Sequence, residues 1–158
     1  MNKVLKISNL IKPFNKSINI EGDKSLSIRW SLLASQASGI SRSFNILKSE
    51  DVIDTLNCLR KLGIRVKLNK NFCEIKGEGL NGFKYKKNII LNAGNSGTLA
   101  RLILGLLVHS KKNIIIKGDK SLSKRDFLRV VKPLKNFGAN FETNKGKLPI
   151  QIIGTSNP

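Results

Sequence analysis

Apolar residues recur along the chain with two different periods, and these predict both helices and strands. Spacings of three and four residues indicate amphipathic helices, and short apolar runs between polar or glycine-rich stretches indicate strands. The predicted helices begin at Ser25 and span Ser49–Leu62, Gly97 or Thr98 to about His109, and Phe127–Asn136. The predicted strands are Ser17–Ile20, Ile64–Leu68, Phe72–Lys76, Ile89–Asn92, Asn113–Lys117, Asn140–Thr143 and Ile150–Ile153. This alternation favours an α/β class with mixed sheets packed on helices.

Two internal repeats accompany the alternation. Gly22–Arg29 recurs as Gly118–Arg125, with seven identities in eight positions and an offset of 96 residues. Leu59–Ile64 is echoed in the same way by Leu134–Ala139. Each copy of the first repeat places a Gly-Asp turn and a serine after a β-prone run, and the serine is a suitable N-cap for a following helix. We therefore expect tandem α/β units that share one core.

The chain is strongly basic, with 29 Lys and Arg against 10 Asp and Glu and a formal net charge of +19 over 158 residues. Such a charge suits nucleic acid, an anionic membrane or small phosphorylated ligands. Most of the cations are scattered lysines, for which a composition bias is sufficient. Because basic and aromatic residues are not interleaved, a basic nucleic-acid-binding module remains only an alternative. Neither a Walker A motif nor a GxGxxG motif is present, so a nucleotide cofactor has no support.

Several other features exclude classes of protein or of site. Cys58 and Cys73 have neither CxxC spacing nor a nearby histidine, so we expect buried thiols in a cytoplasmic protein, without zinc or a disulfide. No segment approaches the ~20 apolar residues that a membrane span requires. His109, Asp51 and Asp54 are weak catalytic candidates, because such residues at helix ends more often interact with the helix dipole or cap the helix.

Cations at three predicted helix starts form the candidate binding site. A helix N-terminus carries partial positive charge, so a cation there costs roughly 0.3 to 1 kcal/mol unless an anion lies beside it. Arginine offers a planar fork to carboxylate or phosphate, and glycine allows close approach of backbone N–H groups. The three starts together predict a site for small anions. Their residues are Lys24, Ser25 and Arg29; Asn95, Gly97, Thr98 and Arg101; and Ser121 and Arg125.

At these motifs the chain resembles the enolpyruvyl transferases, and among them the 5-enolpyruvylshikimate-3-phosphate synthase family. The resemblance lies in Gly22–Arg29, Leu91–Arg101, Gly118–Arg125 and Leu148–Gly154, in the family's order and spacing. It implies an inside-out α/β barrel of repeated βαββαβ units, about two of which are present here. It also implies transfer of the enolpyruvyl group of phosphoenolpyruvate to the 5-hydroxyl of shikimate 3-phosphate, with release of phosphate, in aromatic amino acid biosynthesis.

The resemblance also assigns roles to the candidate residues. Lys24, Ser25 and Arg29 would hold shikimate 3-phosphate; Lys24, Gly97 and Arg125 would hold phosphoenolpyruvate; and Asn95, Thr98 and Arg101 would support that site. The resemblance implies no metal and no organic cofactor. The full-length enzyme is expected to be a cytoplasmic monomer without nucleic-acid or membrane partners, and to be inhibited by glyphosate, for which Gly97 leaves room.

Members of this family are two-domain chains much longer than 158 residues. The resemblance therefore implies an N-terminal fragment that is inactive alone. Residues 1–20 would belong with a second domain, and residues 21–158 would form an incomplete substrate-binding domain. The family's catalytic acids would lie beyond Pro158, and exposed apolar surface is expected.

The sister enzymes that act on UDP-N-acetylglucosamine are the nearest enzyme alternative. They typically have Lys-Asn where this chain has Lys24-Ser25. Their cysteine lies in a later loop, whereas both cysteines of this chain precede Gly97. Three positions depart from the pattern of the first family, and we expect them to bear on ligand affinity. They are Glu21, Ile28 and Asp126.

Overall fold

The computed structural model of the chain describes residues 4–6, 8, 12–18 and 20–158. The helices in these ranges are α1 (Lys24–Gln36), α2 (Glu50–Lys61), α3 (Gly97–Leu106) and α4 (Leu128–Asn136), with a short 3-10 helix at Leu122–Lys124. The strands are β1 (Ser38–Ser43), β2 (Arg65–Leu68), β3 (Cys73–Glu78), β4 (Ile89–Asn92), β5 (Ile114–Lys117), β6 (Asn140–Asn144) and β7 (Lys147–Ile153). The predicted mixed α/β class is confirmed.

The strands form two sheets that contribute to one core. The first sheet has the order β1-β3-β2 and is antiparallel. The second has the order β4-β5-β7-β6, in which β4 and β5 are parallel and the other pairs are antiparallel. Alternate side chains of each sheet point inward, so Cys73 and Ile75 of β3 and Ile150 and Ile152 of β7 are fully buried.

A structural repeat of about 75 residues relates the two halves. The series α1-β1-α2-β2-β3 has the same order as α3-β5-α4-β6-β7, and β3 and β7 are the antiparallel centres of their sheets. Lys24 and Gly97 begin the first helices 73 residues apart, and Arg65 and Asn140 begin β2 and β6 75 residues apart. With β4, the second repeat has the order βαβαββ, which corrects the βαββαβ order expected from the resemblance.

The two sequence repeats differ in their relation to this structural repeat. The echo of Leu59–Ile64 in Leu134–Ala139 falls at the ends of α2 and α4 and matches it. The copies Gly22–Arg29 and Gly118–Arg125 do not, because the first begins α1 and the second leads from β5 into the 3-10 helix. The structural counterpart of the first copy is the Gly94–Gly97 turn before α3.

Aspartate, and not serine, caps the two copies of the sequence repeat. Asp23 accepts a hydrogen bond from the Leu26 N–H at 2.7 Å, and Asp119 accepts one from the Leu122 N–H at 2.7 Å. The prediction that Ser25 and Ser121 cap helices is therefore wrong. The carboxylate satisfies a free N–H and also carries the charge that a helix N-terminus favours.

The other predicted elements match the structure to within three residues, with three exceptions. The strand β1 was not predicted, because Ile40 is its only large apolar residue and is itself 60% exposed. The helix α3 ends at Leu106, before His109. Ser17, Ile18 and Ile20 are not in a strand, and the remaining residue of that prediction, Asn19, lies outside the described ranges.

Both cysteines have the predicted character of buried apolar residues. They are free, and burial raises the pKa of Cys58 to about 12 and that of Cys73 to about 11. Within the described ranges, no helix has the length and apolar character needed to cross a membrane. No cluster of three or more possible metal ligands occurs among the same residues.

Candidate functional site

The turn before α3 is the centre of the candidate site. Gly94 has a φ of 54°, and a Cβ at this position would collide with the carboxylate of Asp54. Ser96 donates its N–H to the Ala93 carbonyl at 2.8 Å, and its hydroxyl accepts the Leu99 N–H at 3.3 Å. These bonds close the turn and begin the helix. They leave Asn95 exposed.

Two guanidinium groups converge over the first residue of α3. A Cβ on Gly97 would lie 2.7 Å from Nη1 of Arg101 and 3.0 Å from Nη1 of Arg125. Nη2 of Arg125 donates to Oδ1 of Asn95 at 2.8 Å, and Nδ2 of Asn95 donates to Oδ2 of Asp119 at 2.6 Å. One network of side chains therefore connects the turn before α3 with the second copy of the sequence repeat.

Arg101 is held in place by several contacts. Its Nη1 donates to the Gly97 carbonyl at 3.3 Å, and its Nη2 donates to the Asp126 carbonyl at 3.1 Å. The guanidinium lies over the Phe127 ring, 4.8 Å from the centroid. Its Nε is buried without a hydrogen-bond partner. Burial and, after it, the neighbouring arginines lower the pKa of Arg101.

The helix α2 links Lys24 to this turn. Nζ of Lys24 lies 3.0 Å from Oδ2 of Asp51, and Asp54, about one turn further along α2, lies against Gly94. Burial, followed by the carboxylates of Asp51 and Glu50, raises the pKa of Asp54. Both aspartates therefore do more than cap the helix, although neither touches the Gly97 network directly in these contacts.

The remaining candidates lie on the first turns of the same helices. Ser25 and Arg29 are four residues apart on α1, and so share a face; Ser25 is half-buried and Arg29 is exposed. Thr98 is half-buried on α3, and α1 packs on α3. The structure thus joins Asn95, Gly97, Arg101 and Arg125 by direct contact, and it places Lys24, Ser25 and Arg29 on the neighbouring helix.

Sequence reasoning missed the capping and supporting residues. Asp119 anchors Asn95, and the identical position of Asp23 in the first copy was the available signal for this role. Hydrogen bonding, first to the Leu122 N–H and then to Asn95, lowers the pKa of Asp119. No pattern in the sequence indicated that Phe127 lies beneath Arg101.

The three departures from the expected motif have different structural surroundings. Ile28 is fully buried in the core, so an apolar residue suits its position. The Asp126 carboxylate accepts the Leu128 N–H at 2.8 Å at the start of α4. Glu21 is exposed beside the first copy of the repeat.

Comparison with known proteins connects this geometry to a family. The family model described as EPSP synthase (3-phosphoshikimate 1-carboxyvinyltransferase) matches residues 9–157. The chain belongs to the EPSP synthase family. A solved EPSP synthase from Acinetobacter baumannii superposes with a TM-score of 0.81 at 36% identity, over 87% of this chain and 31% of that one. The expected family and its fold are thereby confirmed.

Two curated relatives show how much of an EPSP synthase the chain represents. The 3-phosphoshikimate 1-carboxyvinyltransferase of Ruthia magnifica subsp. Calyptogena magnifica is 41% identical over 148 residues, which are 92% of this chain and 34% of the relative. That of Oenococcus oeni (strain ATCC BAA-331 / PSU-1) is 44% identical over 141 residues, which are 89% of this chain and 32% of the relative. The chain therefore spans about a third of the length of these relatives.

Proposed function

We propose that the chain carries the anion-binding part of a 3-phosphoshikimate 1-carboxyvinyltransferase site. That enzyme would transfer the enolpyruvyl group of phosphoenolpyruvate to the 5-hydroxyl of shikimate 3-phosphate and release phosphate. The observation that supports this proposal most strongly is the convergence of Arg101 and Arg125 over Gly97. Two like charges at a helix N-terminus repel each other and the helix dipole, and a bound anion relieves both effects.

Phosphoenolpyruvate is the proposed ligand of this convergence. Arg125 offers a planar donor fork whose direction Asn95 fixes, and Gly97 leaves the volume that a side chain would fill. The free N–H groups at the start of α3 add further donors. Lys24 supplies a second positive charge from α1, since its side chain is paired with Asp51 but still 52% exposed.

Shikimate 3-phosphate is the proposed ligand of the first turns of α1. Ser25 and Arg29 share one face there, so a hydroxyl and a guanidinium can bind the same phosphate. Lys24, at the start of the helix, would reach both substrates. This arrangement places two anionic substrates on adjacent helices, and α2 fixes the spacing through Asp51 and Asp54.

The chemistry proposed for these residues is binding, orientation and charge stabilisation. Enolpyruvyl transfer also needs a general acid and base, and a positioned carboxylate is a suitable group. Asp23 and Asp119 are occupied as caps, and Asp51 is occupied in an ion pair. We therefore assign the catalytic acids to polypeptide outside residues 1–158, with residues 1–20 belonging to a second domain and 21–158 to an incomplete substrate-binding domain. On its own, the chain would bind substrates without converting them.

The other properties implied by the family complete the proposal. The full-length enzyme would be a cytoplasmic monomer that binds neither nucleic acid nor membranes. Glyphosate would bind where phosphoenolpyruvate binds, in the space beside Gly97. No metal or organic cofactor is assigned.

Arg125→Ala tests the assignment of the anion site. Calorimetric titration with phosphoenolpyruvate, in the presence of shikimate 3-phosphate, should show binding to the unaltered chain and weaker binding to the variant. Loss of a charge-assisted hydrogen bond is worth about 1.5 to 3 kcal/mol, or roughly 10- to 150-fold in affinity. Arg65→Ala is the matched control, since Arg65 is exposed on β2.

Equal affinities of the two variants would refute the role of Arg125. The same titration with duplex DNA at matched ionic strength addresses the nucleic-acid alternative. Binding that ignores shikimate 3-phosphate and falls steeply with salt would favour that alternative.

A further inference from the structure

The two structural repeats bury equivalent helix positions to different extents. Since α1 and α3 begin 73 residues apart, Leu26 corresponds to Leu99 and Leu33 to Leu106. Leu99 is fully buried and Leu106 is half-buried, whereas Leu26 is 65% and Leu33 is 69% exposed. Trp30 lies between the two exposed leucines on the same face of α1 and is half-buried. The first repeat therefore has an apolar helix flank that its counterpart in the second repeat covers.

The opposite flanks of the two helices are used differently. Ile28 and Leu32 of α1 are buried, and α1 packs on α3. On α3, Leu102 is 41% exposed, and a Cβ on Gly105 would meet open space. The pair α1–α3 thus has one open apolar flank on each helix. We call these two flanks, formed by Leu26, Trp30, Leu33, Leu102 and Gly105, the open helix surface.

The first sheet also has an incomplete edge within the described residues. In the second sheet, β5 is paired on one side with β7 and on the other with the parallel strand β4. Its counterpart β1 is paired with β3 and forms the edge of its sheet. An edge strand presents unpaired N–H and C=O groups that accept a further strand. Both the helices and the sheet of the first repeat therefore have room for a neighbour.

The length of the relatives indicates the chemistry of that neighbour. The 148 matched residues are 34% of the Ruthia magnifica relative, which implies a relative of about 435 residues. That length corresponds to about six repeats of the size seen here, of which this chain holds two. We propose that the open helix surface is a docking surface for a third βαβαββ repeat, on polypeptide equivalent to the part of EPSP synthase that this chain does not span. This inference depends on the fold and not on the proposed substrate binding.

Co-expression tests the docking directly. The full chain is expressed with a tagged polypeptide that covers the C-terminal two-thirds of the Ruthia magnifica relative, and the recovered complex is measured by affinity capture and light scattering. We expect a soluble 1:1 complex. Leu33→Glu should reduce its recovery at least tenfold, because it places a charge in the centre of the apolar flank. Leu102→Glu should do the same from the other helix.

Leu80→Glu is the matched control, because Leu80 is 82% exposed and lies in a turn after β3, outside the open helix surface. It should leave recovery unchanged, and thermal unfolding of each purified variant shows whether the chain itself still folds. No complex with the unaltered chain, or equal effects of Leu33→Glu and Leu80→Glu, would overturn the proposal. A dimer of the chain that Leu33→Glu dissociates would also overturn it, since a second copy would then be the occupant. Substrate is absent throughout, so a failure of the proposed function leaves this test unaffected.

Discussion

Gly97 is the residue where the candidate site has least space for change. The backbone at this position begins α3, and the atoms nearest to an added Cβ are the ends of two flexible guanidinium side chains. A methyl group would therefore displace Arg101 and Arg125 without unfolding the helix. Residue-scale packing connects directly to ligand geometry here, because these two groups are the proposed anion donors.

Gly97→Ala should lower affinity for phosphoenolpyruvate with little loss of stability. Its matched control is Gly105→Ala in the same helix, where a Cβ would meet open space. Replacing a helical glycine by alanine is worth roughly 0.5 to 1 kcal/mol of stability, so the control should unfold at a higher denaturant concentration and bind normally. Denaturant unfolding and calorimetric titration of both variants provide the comparison. Equal ligand affinities would show that the space over Gly97 is not used for binding.

At the scale of elements, the helix α2 determines how the two candidate substrate sites are spaced. Its first turns contact Lys24 of α1 through Asp51 and the turn before α3 through Asp54. These contacts lie between elements that are distant in sequence. They therefore place charges from different parts of the chain at fixed positions.

Asp51→Asn should affect binding more than stability. The Lys24–Asp51 pair is partly exposed, and such pairs contribute about 0 to 1 kcal/mol. Releasing Lys24 from its position should weaken binding of both substrates several-fold. Glu74→Gln removes a pair of similar exposure, Arg42–Glu74, on the first sheet, and should change stability equally but leave binding unaltered. A several-fold loss of affinity in both variants, or in neither, would contradict the proposed role of α2.

Much of the element order could be predicted from the sequence, because α2, β4 and β6 have clear apolar periods and glycine or asparagine boundaries. The strand β1 could not, since its exposed Ile40 and its glycine and serines give no alternating pattern. The cap residues were misassigned because Asp23 and Ser25 are both good caps, and only the backbone path decides between them.

The candidate site was predictable as a set of residues but not as an arrangement. Glycines and cations at helix starts indicated an anion site. The contact of Arg125 with Asn95 depends on how β5 pairs with β4, and no local period reports such a pairing. The conspicuous repeat at an offset of 96 residues also suggested the wrong structural register.

At the scale of the whole molecule, charge and exposed apolar surface have separate explanations. The +19 charge is spread over exposed lysines, while the arginines of the candidate site are few and have specific partners. The exposed apolar surface expected from the sequence is concentrated on α1, where a third repeat is proposed to dock. Two repeats thus provide a folded core and an anion site, and leave a surface for the polypeptide that the longer relatives contain.

The most direct test of the central claim is a nuclear magnetic resonance titration of the isotope-labelled chain with shikimate 3-phosphate and phosphoenolpyruvate. The account predicts saturable amide shifts concentrated in residues 22–29 and 94–101 and near Arg125, and these shifts should persist when salt is raised. Shifts distributed over the exposed lysines and abolished by salt, or no saturable shifts at all, would contradict it.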